Sequence, residues 1–110
     1  MTTYSVRIAL HIVCDDPAET DSFTDALMDE LVKINQGADL GGSLTTGTFD
    51  VWVTEEAASP TEAVVLASGT VRAAAHAAGG DTRDWPDAAV WPEWLQEKAV
   101  EARELGLVGA

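Results

Sequence analysis

A chain of 110 residues has room for one ordinary domain, and with 46% apolar residues it can bury a core without a disulfide or a metal. Its formal net charge of -13, from 19 acidic against 6 basic residues, repels phosphate and so argues against nucleic acid or an anionic membrane surface as a direct partner. A single cysteine, Cys14, excludes an internal disulfide, no apolar run approaches the roughly 20 residues of a bilayer span, and the opening "MTTYSVRIAL" lacks the pattern of a secretory signal, so a cytoplasmic protein is expected.

Residues 4–13, "YSVRIALHIV", alternate. Tyr4, Val6, Ile8, Leu10 and Ile12 point one way, and Ser5, Arg7, Ala9, His11 and Val13 the other. A period of two with β-branched residues predicts a strand with one well-buried face. A helix is predicted next. Asp16 is its N-cap, Pro17 takes the first helical position, where its missing N–H costs nothing, and Glu19 completes an acidic form of the capping box. Phe23, Leu27, Leu31 and Ile34 form its apolar stripe, and Gly37 is its expected C-terminal stop.

Residues 38–56 read as a hairpin around "TTGT", with Gly41 and Gly42 marking the first strand as a bulged or edge strand. In the second strand Phe49, Val51 and Val53 alternate with Asp50, Trp52 and Thr54. Ser59, Pro60 and Glu62 repeat the cap, proline and acid arrangement, opening a second helix with a thin stripe of Val64, Ala67, Val71, Ala74 and Ala78. Gly79 and Gly80 are expected to stop it, and a short fourth strand is expected over 82–85.

The resulting βαββαβ order over residues 4–86 resembles the ferredoxin-like fold, an α+β two-layer sandwich. The resemblance implies an antiparallel four-stranded sheet, both helices on one face, and the first and third strands side by side at the centre. It is a resemblance of fold and implies no function. Residues 1–86 are then the sandwich, and 87–110 a C-terminal arm packing on the domain or on a partner subunit. Pro92 and Glu93 are expected to start a third helix, "EWLQEKAVEARELG", ended by Gly106.

Such a fold leaves one sheet face uncovered, and alternation places Arg7, His11, Asp50 and Trp52 on it. A large aromatic there wants a cover. Three further tryptophans crowd "DWPDAAVWPEW" at 84–94, so Trp52, Trp85, Trp91, Trp94 and Leu95 are the expected interface or tail-packing anchors. The cover is the C-terminal segment, a second copy of the chain, or a foreign partner.

Signals for chemistry are absent. His11 and Cys14 point to opposite faces of a strand, and no C-x-x-C or H-x-x-x-H spacing occurs, so neither a metal nor a cofactor is expected. Cys14 precedes a helix N-terminus, but Asp15 and Asp16 oppose thiolate formation and no base is aligned with it, so no catalytic residue is assigned. No phosphate-binding glycine loop and no Gly-x-Ser-x-Gly elbow appears.

Three roles remain. The leading one is a non-enzymatic assembly or interaction protein, homodimeric through the open face and the Trp-rich segment. The second is an acidic inhibitor or adaptor that docks Asp21, Asp25 and Asp29, spaced i, i+4, i+8 on the first helix, on a basic protein partner. The third is a small enzyme or ligand binder using the face around Arg7, His11, Asp50 and Trp52.

Overall fold

A computed structural model describes residues 1–13, 16–35, 37–43, 47–83, 87 and 89–105. Strand β1 (Thr2–Ile12), helix α1 (Pro17–Ile34), strands β2 (Asp39–Ser43) and β3 (Thr48–Ala57), helix α2 (Pro60–Arg83) and strand β4 (Leu95–Glu104) follow one another. The strands form one sheet in the order β2-β3-β1-β4, with every neighbouring pair antiparallel. The architecture is α+β, a four-stranded antiparallel open sheet with two helices, compatible with a two-layer sandwich.

Alternation decides which sheet face is covered. Tyr4, Val6, Ile8, Leu10 and Ile12 of β1 and Phe49, Val51 and Val53 of β3 are buried in one cluster with Phe23, Leu27 and Leu31 of α1. Ala63, Ala67, Val71, Ala74 and Ala75 of α2 complete it, so both helices lie on that face. Each buried Val, Leu or Ile removes apolar surface from water, worth roughly 1.5–3 kcal/mol apiece. The alanines of α2 let that helix approach the sheet closely.

Both helices start as their sequences require. Asp16 Oδ1 accepts the Ala18 N–H at 3.0 Å, and Ser59 Oγ accepts the Glu62 N–H at 3.2 Å. The end of α1 differs from expectation. Ile34 is 55% exposed rather than on the stripe, and the C-cap is Asn35 in an extended conformation, so Gly37 does not close the helix. Instead the Asn35 amide donates to the Thr54 carbonyl (2.6 Å), and its Oδ1 accepts the Thr54 N–H (3.5 Å) and the Gly37 N–H (3.1 Å). One side chain thereby satisfies the β3 backbone just beyond the reach of the five-residue edge strand β2.

The C-terminal quarter departs most from the sequence reading. Helix α2 runs through Gly79 to Arg83, and residues 84–86 lie outside the described residues, so the short strand expected over 82–85 is replaced at its first two positions by helix. Gly79 is there for closeness: a Cβ would sit 3.1 Å from Phe23 Cε1 and 3.2 Å from Trp94 Cη2.

The fourth strand is the segment expected to be a third helix. "LQEKAVEARE" is made of good helix formers, but β1 has an unpaired backbone edge on the side away from β3, and pairing with it satisfies both backbones. The ladder shifts register between Ala9 and Leu10, with Ala9 opposite Ala99, Leu10 opposite Glu97, and Lys98 between them. This irregularity breaks the alternation that would have advertised a strand.

Candidate functional site

The uncovered face of the sheet is where the residues singled out from sequence come together. Cross-strand register sets Arg7 opposite Trp52 on β3 and opposite Glu101 on β4. Trp52 is in turn opposite Asp39 on β2, so one row crosses the sheet as Asp39, Trp52, Arg7, Glu101. Adjacent rows place Ala9 beside Asp50 and Ala99, and His11 beside Thr48 and Gln96. Residues directly opposite share a face, so these are mutual neighbours.

Arg7 is already engaged. Nη1 donates to Asp50 Oδ1 at 3.5 Å and Nη2 to Glu101 Oε2 at 3.3 Å. With Arg7 38% and Glu101 64% exposed, solvent screens these pairs, and each is worth about 0–1 kcal/mol. They orient the guanidinium more than they stabilise the fold. A guanidinium bracketed by two carboxylates is a poor anion trap, which weakens the ligand-binding alternative. His11 Nδ1 lies 3.2 Å from Thr48 Oγ1. Among the described residues, no group of three or more His, Cys, Asp or Glu side chains is placed to hold a metal ion.

Trp52 is half-buried against its own sheet neighbours, with Gly41 leaving room beside its ring. The C-terminal tryptophans are elsewhere. Trp94 packs edge-on against Phe23 of α1, with ring centroids 5.1 Å apart at 89°. Trp91 lies under the Arg72 guanidinium, 5.9 Å from its ring centroid, and donates its Nε1–H to Glu97 Oε2 at 3.1 Å. Leu95 is fully buried opposite Ile12. Trp91, Trp94 and Leu95 therefore anchor the C-terminal segment on the helical side of the same chain. Trp85 and Cys14 lie outside the described residues.

Among the described residues, then, the segment does not cover the open face, which carries Trp52 beside Arg7. Asp21, Asp25 and Asp29 are exposed on the outer side of α1, far from this row in the fold's layering. An open depression lined by Val13, Glu93, Trp94 and Gln96 sits where the start of β4 meets the end of β1.

Several members of the face escape the sequence reading. Gln96, Glu101 and Arg103 fall in the segment expected to be a helix, and only their pairing opposite His11, Arg7 and Ser5 puts them on the sheet. Asp39 sits in the weakly patterned edge strand. Its place opposite Trp52 could have been found by extending the β3 alternation across the hairpin.

No helix among the described residues is long and apolar enough to cross a membrane. Comparison with known protein families, with curated proteins and with solved structures returns no match for this chain.

Proposed function

We propose that this chain is a non-enzymatic cytoplasmic interaction protein that makes its contact through the open face of a ferredoxin-like sandwich. The βαββαβ order and the pairing of central β1 with β3 and β4 support the fold assignment. One observation carries the functional reading. A tryptophan stands at the centre of a face that neither the helices nor the described part of the C-terminal segment covers, with a fixed arginine beside it. Tryptophan and arginine are the side chains most enriched at the energetic centres of protein contacts, because each offers a large surface together with directional polar groups. The surrounding ring of Asp39, Asp50, Thr54, Glu101 and Gln96 resembles a polar rim.

Hydroxyl-radical labelling tests this. Trp52 in cells expressing the full chain should be much less reactive than Trp52 in dilute purified protein, while Met1 reacts equally in both. Equal reactivity of Trp52 in the two settings would remove the open face as a contact surface.

A second reading keeps the acidic docking role. The net charge of -13 and the exposed row Asp21, Asp25 and Asp29 favour a basic protein partner on α1. Such capture should weaken steeply with salt and disappear when the three are changed together to Asn. Capture that survives that triple change would refute it.

A further inference from the structure

We infer that the occupant of the open face is a second copy of this chain, packed face to face about a two-fold axis parallel to the strands between β1 and β3, with each Arg7 over the partner's Trp52. This rests on the reading of the open face as a contact surface, and adds the identity and geometry of what covers it.

Arg7 and Trp52 are directly opposite each other on the two central strands, one on either side of the sheet's midline. A two-fold axis along that midline exchanges the β1 side for the β3 side. It therefore brings each guanidinium to the level of the other copy's indole, twice, in one self-complementary contact. An arginine over a tryptophan face is the favoured cation–aromatic pairing.

Charge is divided about the same line. The β2–β3 half of the face presents Asp39, Asp50 and Glu56, all acidic. The β1–β4 half carries two bases, Arg7 and Arg103, with Glu101 as an acid. A midline axis sets each acidic half against a half containing both arginines. A two-fold axis across the strands would instead stack each strand on its own copy, setting the acidic β2–β3 half against another acidic β2–β3 half, and is disfavoured.

Edge-to-edge pairing of two sheets is a poorer route to the same dimer. Edge strand β2 has five residues, and edge strand β4 is irregular at Lys98 and carries Glu97, Lys98, Glu101, Arg103 and Glu104. Charged, irregular or short edges are protected from pairing.

Four strands about 4.8 Å apart, of five to eleven residues, present a face on the order of 600 Å² per copy, at the lower end of specific interfaces. The net charge of -13 on each copy also opposes association. The dimer should therefore be weak and concentration-dependent.

Sedimentation equilibrium of the full chain, from about 1 μM to about 1 mM at near-physiological salt, should show the mass rising from monomer to dimer. Arg7→Glu and, separately, Trp52→Thr should each weaken dimerisation by about 10- to 100-fold with circular dichroism unchanged. Thr keeps a strong strand preference at position 52, so that variant remains informative if the charge change unfolds the other. Arg7→Glu mixed with Asp50→Arg should associate more tightly than either alone, because each restores the other's charge pattern in the mixed pair.

A monomer at every concentration, or a dimer indifferent to both single changes, overturns the inference. If the purified chain stays monomeric while Trp52 remains protected in cells, the second copy is wrong and the contact surface stands. If that protection is missing too, both readings fall.

Discussion

Trp94 and Trp52 are separated by one sheet and live in opposite circumstances. Trp94, itself partly buried, packs against Phe23, Gly79 and the core of its own chain, where a glycine in the last turns of α2 makes room for its ring. Trp52 stands on the other side among charged and hydroxyl-bearing neighbours, half-buried, with its cross-strand partners on β1 and β2 beside it. One face of the sheet is held by packing and the other by rows of weak polar pairs. Side chains on the first face should therefore govern stability, and side chains on the second should govern association and leave the fold alone.

The sharpest way to break this contrast is a pair of adjacent changes on β3. Val51→Asp puts an unpaired carboxylate into a fully buried site and should cost more than about 4 kcal/mol, enough to leave the chain largely unfolded by circular dichroism. Asp50→Asn, one residue away and on the other face, should stay within about 0.5 kcal/mol in urea denaturation. Equal losses would mean that the two faces are not distinct.

The tryptophans give the next largest difference. Trp94→Ala should lower stability by about 3 kcal/mol, because it empties the space between Phe23 and Gly79. Trp52→Ala, measured at concentrations where the chain is monomeric, should cost about 1 kcal/mol or less, since its ring, unlike that of Trp94, is not packed against the core cluster. A reversed order in urea midpoints would place Trp52 in the structural core.

Smaller effects refine the boundary between the faces. Asn35→Ala should cost about 1–2 kcal/mol, because it strips partners from the Thr54 N–H and carbonyl at the edge of β3. Faster amide hydrogen exchange at Thr54 in that variant is the accompanying signature. Glu101→Gln removes one screened ion pair and should change the urea midpoint by an amount equivalent to about 0.5 kcal/mol at most.

Much of the molecule can be read where side-chain period and backbone state agree. The alternation in β1 and β3 assigns Tyr4, Val6, Ile8, Leu10, Ile12, Phe49, Val51 and Val53 to the core side, though not the buried Ala57, and with them the open-face set of Arg7, His11, Asp50 and Trp52. The caps at Asp16 and Ser59 mark both helix starts. The misreadings share a cause. Gly79 looks like a helix stop, but the glycine answers to Trp94, fifteen positions downstream. "LQEKAVEARE" looks like a helix because its residues favour one, and the irregularity at Lys98 hides its period of two. Glu101 and Arg103, both on the candidate surface, were missed for that reason. Trp91, Trp94 and Leu95 were recognisable as anchors, but which side of the sheet they cover was not.

By itself, then, the sequence determined the two central strands, the starts of both helices and the division of the sheet into a buried and an open side. These depend on local periodicity and on caps that act within one turn. The tertiary structure decided where the fourth strand lies, how far α2 runs, and that the C-terminal tryptophans go to the helical side. Those outcomes rest on satisfying the free backbone edge of β1 and filling the space beside Phe23, and both requirements come from residues distant in the chain.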